Sequence, residues 1–325
     1  MSSTSPQIEP FEMPLPPDLR EPAVRLWERT FETSYAPFES VLAGAENDQN
    51  RNLVFVVRRD QAVLATCQLT VSRDGGRLGG VGEVAVDEAV RKQGLATQLC
   101  RAARDWFWSH NGQIVFLGTV NPAAARIYRR LGWNRLAGTT VMAATQEGVT
   151  PEAFLVDHFR TDPGPVSVRA LDASARLPVI PLVLVPHNWQ ILDANLGLVS
   201  TRFARQDRCM SLYPLYQQTA ELPGGCALGA WTDDGCLVGL ASGRPLPSGE
   251  IGVDAFCHPS FSDCWDELVL TALKSCPQGG AAVVSAEDDE KRARFEALGF
   301  ALEGDAADLP VGDHRLPALR LVRSR

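Results

Sequence analysis

The side chains of this chain that could do chemistry gather at two strand-to-helix turns. An apolar run, Val81 to Val86, ends in a polar loop, Asp87 to Gln93, and helical spacing begins at Gly94. Arg91-Lys92-Gln93-Gly94-Leu95-Ala96-Thr97 therefore sets two basic side chains beside first-turn N–H groups that no helical carbonyl reaches, with peptide dipoles aligned behind them. That combination holds an anion. Gly94 and Ala96 matter for what they lack, because small side chains let the oxygens of an anhydride approach the amides closely. A plain helix start with a glycine before it reads the same way, so this loop is a weak signal alone. The second turn follows the run Ile114 to Val120, where Asn121-Pro122 opens a helix with asparagine as cap and proline at its first position. If the two strands are neighbours, both helix starts lie side by side.

The elements that must position these turns are legible in the spacing. Gly94 to His110 reads as a helix with Leu95, Leu99, Ala102, Ala103, Trp106 and Phe107 on one face and Asn111-Gly112 as its stop. Val24 to Leu42 also has helical spacing, with Leu26, Phe31, Tyr35 and Phe38 among its apolar positions. Leu53 to Thr66 reads as strand, turn, strand, and Ser72 to Gly76 as a further turn. The chain then repeats itself. Leu53 to Thr66 resembles Ala227 to Leu240 at an offset of 174 residues. Gly82 to Val86 maps on Gly249 to Val253, and Leu131-Gly132-Trp133 on Leu298-Gly299-Phe300, both at 167. These matches predict two copies of one α/β unit: a disordered tail over 1–15, the first copy over 16–147, a Pro/Gly-bearing linker over 148–165 and the second copy over 166–325.

Together the two turns resemble the GNAT N-acyltransferase superfamily. The first is similar to its acyl-CoA pyrophosphate loop, Gln/Arg-x-x-Gly-x-Gly/Ala, as Arg91, Gly94 and Ala96. The second is similar to its Asn-x-x-Ala-x-x-x-Tyr-x-x-x-Gly-Phe helix as Asn121, Ala124, Tyr128 and Gly132, with Trp133 replacing phenylalanine. The resemblance covers residues 20 to 145 and implies a mixed, mostly antiparallel sheet flanked by helices, whose fourth and fifth strands splay to admit the pantetheine arm. It implies acetyl-CoA, or another acyl-CoA, held by Val84, Ala85 and Val86 and by Arg91, Lys92, Gln93, Gly94, Leu95, Ala96 and Thr97, with Asn121 ordering its edge. The amine of a small molecule or protein then attacks the thioester directly in a ternary complex, the Val86 amide polarising the thioester oxygen. Tyr128 is implied as the acid that protonates the departing thiolate; as a residue it also fits a core stripe with Ala124, Ile127 and Leu131. Glu83, an acid on the motif strand, is the candidate base, although Glu250 at the matching place of the second copy allows a structural role and a water chain the base's. The acceptor is implied near Phe31, Tyr35, Phe38 and Glu39 and near Thr139 to Ala143.

The second copy reads as degenerate. At the offset of 167 the loop becomes His258-Pro259-Ser260-Phe261-Ser262-Asp263, Asn121 becomes Asp288 and Tyr128 becomes Phe295. His258 beside Cys257 spells a nucleophile pair, but neighbours on a strand point to opposite faces. Composition closes other classes. With 31 Lys and Arg against 39 Asp and Glu the net charge is −8, which argues against a nucleic-acid partner and is compatible with a cationic acceptor. No run of eighteen apolar residues and no secretory start predict a cytosolic protein without a membrane partner. Eight cysteines without a C-x-x-C pair predict reduced thiols and no metal. Against the enzyme stands a non-catalytic acyl-CoA sensor or interaction scaffold, and a redirected reaction such as decarboxylation.

Overall fold

The computed structural model describes residues 7–73, 76–160, 164–274 and 279–324. Residues 1–6 of the expected tail, Asp74-Gly75 of the expected turn, residues 161–163 of the expected linker and Cys276 lie outside the described residues. The chain divides into two units. One runs to Arg135 and includes Val141–Pro151; the other takes Leu136–Thr140 and the chain from Glu152 onward.

In the first unit, strands whose successive side chains are all apolar are covered on both faces. Its elements are β1 (Glu9–Glu12), α1 (Pro17–Phe31), α2 (Glu39–Leu42), β2 (Asn50–Arg59), β3 (Ala62–Ser72), β4 (Leu78–Val86), α3 (Leu95–Ser109), β5 (Ile114–Gly118), α4 (Pro122–Arg130), β6 (Asn134–Arg135) and β7 (Val141–Thr145). They make a seven-stranded sheet in the order β1-β2-β3-β4-β5-β7-β6, antiparallel except for β4 beside β5. Along β2, Leu53, Phe55 and Val57 pack with α3 residues on one face, while Val54 and Val56 pack with α1 residues on the other. β1 occupies part of the segment expected to be a disordered tail, because Glu9–Glu12 pairs in register with Val56–Leu53.

Two irregularities open the sheet where the two turns meet. β4 pairs with β5 only from Leu78 to Gly80; past that point β4 has no ladder partner on this side among the described residues. On its other side the register with β3 slips: Ala85 faces Thr66 and Gly82 faces Gln68, so Glu83 and Val84 share one partner, Cys67. This is a β-bulge, and Glu83 within it has φ +45°, the left-handed region that non-glycine residues rarely adopt. The expected helix Val24–Leu42 is also broken. Glu32 is left-handed, Ser34 Oγ accepts from the Ala36 N–H, and Pro37 disfavours helix before it, so α1 gives way to a 3-10 turn, Ala36–Phe38, ahead of α2.

The second unit holds α5 (Pro151–His158), β8 (Val166–Ala170), α6 (Val179–Leu184), β9 (Ile191–Asp193), β10 (Leu198–Val199), α7 (Leu212–Ala220), β11 (Cys226–Thr232), β12 (Leu237–Pro245), β13 (Ile251–Cys257), α8 (Trp265–Leu273), β14 (Gly280–Ser285), α9 (Asp289–Ala297), β15 (Ala301–Val311) and β16 (His314–Arg323). α5 occupies part of the expected linker. The sheet order, β8-β11-β12-β13-β14-β16-β15, repeats that of the first unit position by position, with β13 and β14 as its parallel pair. Both halves are therefore mixed, mostly antiparallel sheets flanked by helices, as the repeat predicts.

The repeat is not gapless, however. Val86 ends β4 and faces Ala65; Cys257 ends β13 and faces Gly239. The residues that follow, Asp87 and His258, both accept from a backbone N–H two residues on. Matching these ends gives an offset of 171 residues, against 167 where Asn121 and Asp288 precede α4 and α9. By ladder place Asp254 faces Ser242 as Gly82 faces Gln68, so the bulged pair Glu83-Val84 answers to the single Ala255 with Asp254 beside it, and Glu250 lies before β13, half-buried and paired with Arg320 at 2.6 Å. The ladder between β12 and β13 also runs without the bulge.

Candidate functional site

The first site residue is the end of a helix. Gly94, at φ +80°, caps α3 without a side-chain hydrogen bond, so the Leu95, Ala96 and Thr97 amides of the first turn have no acceptor within the helix. The cap conformation is the one glycine adopts at no steric cost. The small Ala96 follows, and Lys92 at φ +65° turns the chain into this end. Arg91 is partly committed elsewhere: its guanidinium donates to Glu88 at 2.9 Å and to the Val86 carbonyl at 3.2 Å.

α4 closes the opposite wall. Asn121 Oδ1 accepts from the Ala123 and Ala124 amides at 2.9 and 3.4 Å, the cap expected of it, and Pro122 occupies the first position. Tyr128 lies one helical stripe further, 7% exposed. Burial, and the neighbouring Cys100 and Cys67 thiols, raise its pKa above the ordinary phenol value, so it holds its proton at neutral pH. A cleft of about 670 Å³ lies between α3, α4 and the unpaired end of β4. Of the residues expected to bind the cofactor, Val84, Val86, Arg91, Lys92, Gly94, Leu95, Ala96, Thr97, Asn121 and Tyr128 line it.

Ala85 and Gln93 do not. Side chains alternate along a strand, so Val84 and Val86 face the cleft while Ala85 packs against α1, 1% exposed. Gln93 is exposed on the loop. Glu83 also points to the α1 side, where Tyr35 Oη donates to its carboxylate at 3.2 Å. The candidate acid and the candidate base thus stand on opposite faces of the sheet at its opened edge. Thr30, Val90, Ala123 and Ile127 line the cleft as well. Ile127 was legible in the stripe of Tyr128, whereas Thr30 arrives from α1 through tertiary packing, held by the Arg29–Asp87 ion pair at 2.7 Å, and left no local signal.

The corresponding place in the second unit is filled by its own chain. β13 and β14 pair only at Ile251-Gly252, leaving the same kind of gap. Asp288 accepts from the Gln190 and Ile191 amides, and the fully buried Lys291 on α9 donates to the Ile191 and Leu192 carbonyls and pairs with Asp254 at 2.6 Å. Gln190–Asp193 is thereby bound between β13 and α9. The 3-10 turn Pro259–Cys264 runs directly into α8 with no glycine and no basic residue. His258 stacks on Phe159 with ring centroids 4.3 Å apart, and burial lowers its pKa to about 4. Among the described residues no group of His, Cys, Asp and Glu is arranged to hold a metal, and no helix is long and apolar enough to cross a membrane.

Comparison with known proteins decides the family of the first unit. Residues 19–133 match the model of the acetyltransferase (GNAT) family. This segment is a GNAT domain. The match spans α1 to the end of α4 and so contains the whole cleft, both turns and the bulge of the GNAT domain. No curated protein matches the chain. Among solved structures, an N-acetyltransferase from Staphylococcus aureus Mu50 is similar at 12% identity, covering 50% of this chain and 98% of its own, with a TM-score of 0.39. A GNAT superfamily phosphinothricin acetyltransferase from Sinorhizobium meliloti, in complex with AcCoA, is similar at 16% identity over 49% of this chain and 88% of its own, with a TM-score of 0.38. Escherichia coli ElaA is similar at 16% identity over 42% and 99%, with a TM-score of 0.35.

Proposed function

We propose that the GNAT domain transfers an acetyl or other short acyl group from acyl-CoA to an amine, by direct attack within a ternary complex. The observation that carries this reading is the joining, in one cleft, of an uncapped helix N-terminus lined by Gly94 and Ala96 with a buried, protonated phenol. The three amides and the dipole of α3 receive the diphosphate, with Lys92 at the rim. The end of β4 past Gly80, unpaired on its β5 side among the described residues, offers backbone groups to the pantetheine arm, and the Val86 amide polarises the thioester oxygen. Tyr128 donates its proton to the thiolate as the C–S bond breaks; its raised pKa keeps the donor loaded.

The acceptor approaches from the α1 side, where Glu83 takes the proton that the attacking nitrogen releases. Positioning supplies most of the rate, since holding two reactants together removes up to about 7–11 kcal/mol of barrier. The second unit takes no part in cofactor binding, because Gln190–Asp193 already occupies its gap. The chain then uses one cofactor site. The experiment is release of free thiol from acetyl-CoA when primary amines are added to the purified chain. An amine-dependent rate supports transfer; saturable acetyl-CoA binding without turnover over a broad amine panel makes the protein a sensor instead.

A further inference from the structure

Tyr35 reaches the motif strand only because the helix before it breaks. α1 stops at Phe31, Glu32 turns left-handed, and the Tyr35 N–H is caught by Glu28 Oε1 at 3.1 Å. Its ring then sits between Trp27 and Phe38, at centroid distances of 5.3 and 5.5 Å, with its hydroxyl on Glu83. Burial and the charge of Glu83 raise the phenol's pKa, so it remains a donor. Glu83 is gripped from a second direction: its carbonyl accepts from Thr66 Oγ1 at 2.8 Å, and Thr66 Oγ1 in turn accepts from Trp27 Nε1 at 2.7 Å. Tyr35 and Thr66, the latter fixed by Trp27, therefore hold one residue in a left-handed bulge, a conformation that persists only where its surroundings over-determine it. A bulge of this kind re-aims a side chain. The second unit has neither: its ladder is regular there, and Asp254 is spent on Lys291.

We propose that Tyr35 is a positioning residue for acyl transfer, its phenol holding the Glu83 carboxylate, ionised and aimed from the α1 face, to take the proton of the attacking amine. This rests on the acyl-transfer reading above. A donor to a carboxylate favours its charged form, so the bond both orients the base and extends its working range toward acid. The Tyr35 phenol and the Cys67 thiol, which both interact with Glu83, have raised pKa values, so neither titrates near neutrality.

The test follows thiol release from acetyl-CoA with propylamine, an ammonium at neutral pH, and with hydroxylamine, which is uncharged there. Tyr35→Phe should lower kcat/KM for propylamine by about tenfold, move the acid limb of its pH profile to higher pH, and leave acetyl-CoA affinity within about twofold. The loss should be smaller with hydroxylamine, and Tyr35→Phe should add nothing in a Glu83→Gln background. Glu83→Asp, one methylene short of the phenol, should shift the limb in the same direction and serves if Tyr35→Phe folds poorly. Equal losses with both nucleophiles, an unmoved limb, or additive effects in the double variant overturn the positioning role while leaving acyl transfer standing. No thiol release by the wild-type chain with either nucleophile overturns acyl transfer, and this inference with it.

Discussion

Tyr128 carries the sharpest residue-level claim. A buried phenol with a raised pKa is a poor place for a charge and a good place for a proton, so its use as an acid asks nothing of its environment that burial has not already supplied. Tyr128→Phe removes the proton and keeps the ring between α4 and Trp133, whose centroid is 6.2 Å away. Turnover should fall by ~10²-fold with acetyl-CoA affinity retained; unchanged turnover in a chemistry-limited assay would show that another group, or water, protonates the thiolate. Tyr128 and Asn121 were readable from sequence because both sit on a regular helix whose cap and stripe are written in consecutive residues. Glu83 was placed on the right strand and matched to the wrong partner. A bulge and a four-residue gap leave no mark on a string of letters, and Gly249-Glu250 imitates Gly82-Glu83 by composition alone.

At the scale of elements, the two units solve one geometric problem in opposite ways. Each sheet opens after a short parallel pairing, and an open strand edge must find partners for its backbone groups. In the first unit the gap leads to a cleft; in the second it takes in β9. That filling has an electrostatic signature. Asp193 on β9 is fully buried, accepts from Ser242 at 2.8 Å, and is raised to about 7 by burial and by the charge of Asp254. Its folded pKa thus exceeds the unfolded value of about 3.9, the folded chain binds the extra proton between these values, and stability falls as pH rises through that window and levels off above it. Asp193→Asn should flatten the fall in urea midpoint between pH 5 and 8. A variant as pH-sensitive as the wild type would place the titrating group elsewhere. β9 and its role were invisible in the sequence, because a three-residue strand has no periodicity and its partners, Asp254 and Lys291, come from distant segments.

For the whole molecule, the repeat was legible because sheet order follows from strand order, and apolar runs at matched offsets recur in both halves. What separates the halves lies in a few positions: Gly94 and Ala96 at the start of α3 against Cys264 and Asp266 at the start of α8, Tyr128 against Phe295, a bulge against a regular ladder. The two halves therefore share a sheet order and differ at the turns, since packing depends on the apolar positions and binding on the turns. The proposed transfer requires that the N-terminus of α3 hold the diphosphate and that no second cofactor site exist. Calorimetric titration of the full chain with acetyl-CoA tests this most directly, read beside Ala96→Glu, which sets a carboxylate where the diphosphate would lie. One site per chain, weakened at least about tenfold by Ala96→Glu through like-charge repulsion, is the predicted result. Two sites, or one site indifferent to Ala96→Glu, would contradict it.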